Sequence, residues 1–101
     1  MSEKTKVVFR VWTGDNKGVL ALFPEEAADT DAGHCLSYEN TGQHGSADAL
    51  LCVLNTRPAL PHEYADLKKE LERRGYDLEI RRRISRKAIE IRRQQLVSLY
   101  G

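Results

Sequence analysis

The sequence predicts an α+β domain in which a mostly antiparallel sheet of about five strands carries helices packed on one face. Three observations lead to this fold. Segments with strand-like apolar alternation dominate the chain before residue 56, apolar stripes at helical spacing appear only after residue 60, and 101 residues suit one hydrophobic core. Strands that precede helices favour antiparallel pairing, and the predicted order is β-β-β-β-α-β-α.

The first two strands are predicted to form a hairpin. Residues 6–12, KVVFRVW, place Val7, Phe9 and Val11 on one face of a strand. The polar segment TGDNKG supplies residues that tolerate a turn, and residues 19–23, VLALF, form the second strand. We expect this strand to end at Pro24, because proline has no N–H for the ladder.

The middle of the chain is predicted as a strand, a loop and a second strand. After an acidic loop, residues 34–38, HCLSY, form the third strand. Residues 39–48, ENTGQHGSAD, contain two glycines and several side chains that compete for backbone hydrogen bonds, which predicts a loop. Residues 49–55, ALLCVLN, are almost entirely apolar and predict a central strand, with a short buried helix as the alternative.

The clearest helix signal follows Pro61, which suits the first position of a helix. Tyr64, Leu67 and Leu71 form an apolar stripe at helical spacing. Gly75 is expected to end this helix in a left-handed conformation.

The last part of the chain predicts one more strand and a basic helix. Residues 76–84, YDLEIRRRI, alternate apolar and charged side chains, and Ser85 is expected to cap a C-terminal helix within residues 85–101. Ile89, Val97 and Tyr100 widen the apolar stripe of that helix beyond what a surface helix needs. We expect one domain, residues 1–101, with residues 1–5 as a flexible N-terminus.

Three sequence blocks carry a resemblance: ALFPE, then HCLSY followed by GQHGSAD, then EYADLKKELERRGYDL. In this order they resemble a group of short uncharacterised proteins from bacteria and their phages and plasmids, over about residues 6–84. The resemblance implies a mobile genetic element as a source, and it transfers no activity, cofactor or catalytic residue. Similar sequences place Thr or Ser before the helix proline, where this chain has Leu60, so we expect the helix to lack a side-chain N-cap.

Composition excludes several classes of protein. No apolar segment approaches the roughly 20 residues needed to span a bilayer, so we expect no membrane association. The N-terminal MSEKTKVVF lacks the apolar segment of a signal peptide. Two cysteines, Cys35 and Cys52, are too few for a disulfide scaffold, and we expect reduced thiols and a cytoplasmic location.

A metal site would have to recruit His34, Cys35, His44 and Cys52. Zinc ligands usually come in close pairs separated by two to four residues, and this spacing is absent. Adjacent side chains on a strand also point to opposite faces, so His34 and Cys35 are unsuited to one ion. We therefore expect neither a metal nor another cofactor.

A Cys/His-dependent hydrolase centred on residues 34–48 is one alternative function. Cys35, or Ser37 together with Asp48, would act with His44 as the base, provided that the loop folds His44 back over the strand. No nucleophile-elbow motif accompanies these residues. We leave the chain's catalytic status open, with a non-catalytic protein favoured.

The same polar segment is a candidate binding loop, since loops carry function more often than the strands that they connect. Its candidate binding residues are Tyr38, Asn40, Gln43, His44 and Asp48.

A second candidate surface is basic. Residues 1–67 carry five Lys/Arg and ten Asp/Glu, a net charge of −5, whereas residues 68–101 carry eleven Lys/Arg and five Asp/Glu, a net charge of +6. Such a surface attracts an acidic partner or nucleic-acid phosphates. Its candidate residues are Arg81, Arg82, Arg83, Arg86, Lys87, Arg92 and Arg93.

These observations predict a non-catalytic binding or accessory module that acts on a protein partner. The apolar excess on the C-terminal helix also predicts pairing with a second copy of the chain. Nucleic-acid binding through the arginine cluster is the other alternative, although a pI of about 7.8 is low for a dedicated nucleic-acid binder.

Overall fold

The computed structural model describes residues 4–14, 18–39 and 43–100. These residues form a mostly antiparallel sheet with three helices, which confirms the predicted α+β class. The elements are β1 (Thr5–Trp12), β2 (Val19–Ala27), β3 (His34–Glu39), β4 (Gln43–Asp48), α1 (Ala49–Leu54), β5 (Thr56–Pro58), α2 (Pro61–Arg73), β6 (Leu78–Arg81) and α3 (Ala88–Tyr100).

Two strands share one edge of β1. The sheet order is β4-β3-β2-β1-β5, and β6 also pairs with β1. The antiparallel β5 pairs with residues 10–12 of β1, and the parallel β6 pairs with residues 5–8. Between them, the Phe9 carbonyl accepts a hydrogen bond from the Ala59 N–H at 3.0 Å. β5 and β6 therefore end on either side of Phe9, and the gap between them forms a notch in the edge of the sheet.

The segment predicted as a loop contains a regular strand. β4 pairs with β3 without interruption, from His34 opposite Asp48 to Glu39 opposite Gln43. Gly45 lies opposite Ser37, and a Cβ at Gly45 would be 3.3 Å from the Ser37 Oγ. Glycine at this position thus leaves room for the Ser37 hydroxyl, whereas the sequence predicts only a turn there.

The segment predicted as a central strand is the helix α1, which was the alternative. The Asp48 carboxylate accepts a hydrogen bond from the Leu51 N–H at 3.1 Å and so caps the helix. Only Ala49 and Cys52 are buried. The side chains of Leu50, Leu51 and Leu54 are 55–69% exposed. The continuous apolar pattern was therefore misleading about burial as well as about secondary structure.

Pro24 does not end the second strand, because β2 continues to Ala27. The pairing with β3 shifts register between Phe23 and Ala27. The missing proline N–H therefore falls at an irregularity of the ladder, where such a residue is tolerated.

Helices cover both faces of the sheet, whereas one covered face was predicted. On one face, Leu67 and Leu71 of α2 pack in a core with Phe9 and Tyr38. On the other face, α1 packs over a core that includes Cys35. Consecutive apolar residues on β1 and β2 point alternately to the two faces and make both of them apolar, so both faces need cover.

The two later helices begin and end near the predicted residues. α2 begins at Pro61, and Gly75 follows its C-terminal end with a φ of +102°, as predicted. α3 begins at Ala88, and the Ser85 Oγ accepts a hydrogen bond from the Lys87 N–H at 3.2 Å just before it. None of the helices in the described ranges has the length and apolar character that crossing a bilayer requires.

Candidate functional site

The structure does not bring the predicted hydrolase residues together. His44 lies opposite Tyr38, and its Nε2 is 2.7 Å from the Tyr76 hydroxyl. Tyr38 belongs to the core beneath α2, whereas Cys35 belongs to the core on the other face of the sheet. The sheet therefore separates the imidazole from the thiol.

Neither predicted nucleophile has the environment of a reactive group. Cys35 is fully buried, and burial raises the pKa of its thiol to about 11, so the thiol stays protonated at neutral pH. Ser37 is 7% exposed and lies on the same side of β3 as Cys35. The geometry thus contains no pairing of Cys35 or Ser37 with the His44 base.

A different histidine forms a polar cluster that the sequence reading missed. His34 Nδ1 and Ser46 Oγ both contact Asp29 Oδ2, at 2.8 and 2.6 Å. These hydrogen bonds lower the pKa of Asp29 to about 2, and the Asp29 hydrogen bond raises the pKa of His34. The serine proton goes to the carboxylate and not to the imidazole, so the cluster fastens the 29–31 loop to β3 and β4. It lacks the order of a catalytic triad.

The candidate binding loop has mainly structural contacts. Tyr38 is fully buried, Asp48 caps α1, and His44 contacts Tyr76. Asn40 and the side chain of Gln43 lie outside the described part of the structure.

The predicted basic surface is divided by the fold. Arg92 is only 3% exposed, and its guanidinium donates to the carbonyls of Pro24 and Ala32, so it anchors α3 to β2 and does not belong to the surface. Arg93 lies 3.6 Å from Glu90 on the exposed side of α3. Arg86 and Lys87 are exposed just before α3.

The remaining arginines surround the notch where β5 and β6 leave β1. One concavity of about 420 Å³ lies between the start of α2 and the end of β6, and a neighbouring one of about 480 Å³ includes Arg10 in its wall. We call this surface the arginine groove, with a basic rim of Arg57, Arg81, Arg82 and Arg83 and an apolar floor of Phe9, Tyr64 and Ile80.

The floor of the groove is aromatic. The rings of Phe9 and Tyr64 stack with their centroids 4.5 Å apart and an interplanar angle of 9°. Leu60, whose side chain is 50% exposed, lies at the entrance. This floor offers apolar contact to a side chain that enters from the edge of the sheet.

Arg57 is held at the rim by Glu63. Its Nη1 and Nη2 donate to the two carboxylate oxygens of Glu63 at 2.8 and 2.5 Å. Glu63 also accepts a hydrogen bond from the Leu60 N–H at 2.9 Å. These contacts lower the pKa of Glu63 to about 2. The Glu63 carboxylate also caps the N-terminus of α2, because the Leu60 side chain at the N-cap cannot accept a hydrogen bond.

Arg10 of β1 holds β5 and the end of α1 in place beside the groove. Its Nε donates to the Thr56 Oγ1 at 2.8 Å, and its Nη2 donates to the carbonyls of Thr56 and Val53 at 2.8 and 3.1 Å. Arg10 is 9% exposed, and burial lowers the pKa of its guanidinium. The sequence signal for this role is a charged residue inside the otherwise apolar segment 7–12 of β1.

Two arginines of the rim are available to a ligand. Arg81 Nε lies 2.7 Å from Glu79, and Arg57 is paired with Glu63. Arg82 and Arg83 are exposed and form no ion pair within the described ranges. Among the described residues, no group of three His, Cys, Asp or Glu side chains is placed to hold a metal ion. The arginine groove can therefore bind an anionic group beside an apolar one.

No protein-family model, curated protein or solved structure matches this chain.

Proposed function

We propose that this protein is a non-catalytic binding module whose arginine groove holds an acidic segment of a partner protein. The observation that carries the proposal lies at one edge of the sheet. There, exposed Arg82 and Arg83, which form no ion pair with a described residue, lie beside the stacked rings of Phe9 and Tyr64.

The chemistry of the groove suits carboxylates flanked by apolar side chains. Guanidinium groups bind carboxylates through two parallel hydrogen bonds, which fixes orientation as well as charge. The stacked aromatic floor contributes apolar area that polyanion binding alone would not require. The residues that line the groove are arginine, proline, aromatic and aliphatic, a set that supports recognition rather than proton transfer.

Single-stranded nucleic acid is the second candidate ligand, because arginines beside aromatic rings also bind phosphates and stacked bases. The exposed run from Arg81 to Arg83, followed by Arg86 and Lys87, favours it. The overall net charge of +1 supplies only a weak long-range field for a polyanion, and this favours the protein partner.

The proposal extends to the setting in which the module acts. Both cysteines are free and buried, in keeping with a reducing compartment, and we place the protein in the cytoplasm. The resemblance in sequence supports an origin in a mobile genetic element.

Fluorescence polarisation tests the proposal directly. The probe is a fluorescein-labelled peptide of roughly ten residues that alternates Glu and Val, and its affinity is compared between the wild type and the double variant Arg82→Ser/Arg83→Ser. We expect the double variant to lose about tenfold or more in affinity, and the control variant Arg93→Ser to bind like the wild type. Equal binding by all three proteins would contradict the proposal.

A labelled single-stranded oligonucleotide of the same net charge separates the two ligand classes. If the oligonucleotide binds more tightly than the peptide, and if its affinity falls steeply with salt, the groove binds nucleic acid instead. Thermal melting of each variant shows whether its fold is intact.

A further inference from the structure

We infer that the partner segment binds as an added β-strand along the free edge of β6, with its apolar side chains in the arginine groove and its carboxylates on the rim. This inference rests on the proposed function and specifies how the same site is used. Strand addition of this kind takes its affinity from main-chain hydrogen bonds and its specificity from alternate side chains.

One edge of β6 is unpaired in the described ranges. β6 is parallel to β1, with Val7 opposite Ile80 and Val8 opposite Arg81, and no other described strand pairs with it. The Thr5 N–H donates to the Asp77 carbonyl at 2.7 Å. In a parallel ladder, backbone groups alternate between the two edges, so those of Leu78 and Ile80 point to the free edge.

The side chains of β6 divide between the two faces of the sheet. Leu78 and Ile80 pack against the core beneath α2, and Ile80 also lines the arginine groove. Arg81 lies opposite the buried Val8 of the other core and lines concavities that include Arg83. A strand added beside β6 would thus present one set of alternate side chains to the apolar floor and the other set to arginines.

This alternation defines the sequence of the partner segment. Apolar side chains at every second position would enter the concavity of about 420 Å³, a volume within the usual range of ligand sites. Acidic side chains between them would meet the guanidinium groups of Arg82 and Arg83, the two rim arginines that are available to a ligand. An extended segment in which Asp or Glu alternates with Val, Ile or Leu therefore fits the edge, whereas a clustered acidic segment fits only the rim.

Charge distinguishes this edge from the other open edge of the sheet. β4 is the outermost strand on the opposite side, and its sequence QHGSAD contains Asp48 as its only charged residue. The carboxylates of an acidic strand would find no Lys or Arg partner on β4, whereas several guanidinium groups lie beside β6. The acidic partner therefore selects the β6 edge.

A comparison of three peptides on the full-length protein tests the inference. The first alternates Glu and Val, the second has the same composition with all Glu before all Val, and the third is the alternating peptide N-methylated at every second residue, so that one edge cannot donate hydrogen bonds. We expect the alternating peptide to bind about tenfold or more tightly than either of the others.

Amide hydrogen exchange locates the binding edge. We expect the amides of Leu78 and Ile80 to exchange more slowly when the alternating peptide is bound, while amides of β4 do not change. Protection of β4 amides instead would overturn the assignment to β6. Protection of the β6 amides that rises with protein concentration without peptide would mean that a second copy occupies the edge, and would also overturn the inference.

Failure of the inference and failure of the proposed function give different results. If the three peptides bind equally and all lose affinity in Arg82→Ser/Arg83→Ser, the groove binds acidic segments but not as strands. If none of them binds, or if binding is unaffected by the double variant, both proposals are wrong.

Discussion

Removing the buried guanidinium of Arg10 should destabilise the whole edge of the sheet that forms the groove. The substitution Arg10→Met keeps the aliphatic stem but removes the donors to the Thr56 hydroxyl and to the carbonyls of Thr56 and Val53. Because Arg10 is only 9% exposed, water cannot easily replace the lost donors. These three hydrogen bonds link the Arg10 side chain of β1 to both α1 and β5.

The size of the effect follows from the number of groups left unsatisfied. Each buried carbonyl that loses its donor costs about 1–3 kcal/mol, and removing the need to desolvate a guanidinium offsets part of this. We expect the free energy of unfolding to fall by about 3 kcal/mol, a large part of the roughly 5–15 kcal/mol that is typical of a domain.

Urea denaturation followed by circular dichroism measures this loss. With a slope of about 2 kcal/mol per M, the midpoint should fall by about 1.5 M. The control is Arg93→Met, whose side chain is 59% exposed and 3.6 Å from its partner, and which should change stability by less than about 0.5 kcal/mol. If Arg10→Met shifts the midpoint no more than Arg93→Met does, the Arg10 hydrogen bonds do not hold β5 in place, and they do not position the groove.

Three further predictions concern other parts of the molecule. The His34–Asp29 contact should stabilise the fold at about pH 5. Because the pKa of His34 is raised, the contribution of His34 is lost as the pH rises through that pKa. Because the pKa of Asp29 is lowered, the contribution of Asp29 is lost as the pH falls towards about 2. Urea midpoints of Asp29→Asn should therefore fall below those of the wild type at pH 5, and the gap should narrow above the raised pKa of His34, where Asp29 keeps only its hydrogen bonds from Ser46 and the Asp31 N–H. A gap of the same size at both pH values would contradict this. Cys35 should react with a thiol reagent only as fast as the protein unfolds, because it is fully buried with a pKa of about 11, and rapid labelling in native buffer would be inconsistent with the structure. Leu99 is 71% exposed on α3. If α3 pairs two copies of the chain through its exposed apolar side chains, light scattering should give twice the monomer mass for the wild type and the monomer mass for Leu99→Glu. Identical masses for both proteins would exclude Leu99 from such an interface.

The sequence predicted those elements in which one local signal was unambiguous. α2 has a helix-compatible proline, an apolar stripe and a terminal glycine, and the structure places both of its ends as these residues indicate. α1 was predicted as a strand because its residues are apolar throughout, and a continuous apolar pattern has no period. The local signal that favours a helix is Asp48 at its N-cap, but Asp48 also lies at the end of the segment whose composition predicts a loop.

β4 illustrates a constraint that a single sequence does not display. Its glycine and polar residues have low strand propensity, yet the segment pairs regularly with β3. Gly45 suits the position because of the Ser37 hydroxyl across the ladder, which is a contact between strands. Tertiary context therefore overrides propensity here.

The candidate site was predicted in part. The run from Arg81 to Arg83 is visible as a cluster of charge, and the structure places it at the groove. Arg10 and Arg57 come from distant parts of the chain, and only the fold brings them to the same edge. Arg92 shows the reverse case, since helical spacing alone does not reveal that its guanidinium reaches the carbonyls of Pro24 and Ala32.

A charge reversal in the groove tests the central claim most directly. The wild type and the variant Arg82→Glu/Arg83→Glu are each titrated with two labelled peptides, one that alternates Glu and Val and one that alternates Lys and Val. If the rim of the groove recognises an acidic segment, the wild type binds the Glu peptide, and the variant loses the Glu peptide and gains the Lys peptide. If reversing both charges leaves the preference between the two peptides unchanged, the arginine groove is not where this protein recognises its partner.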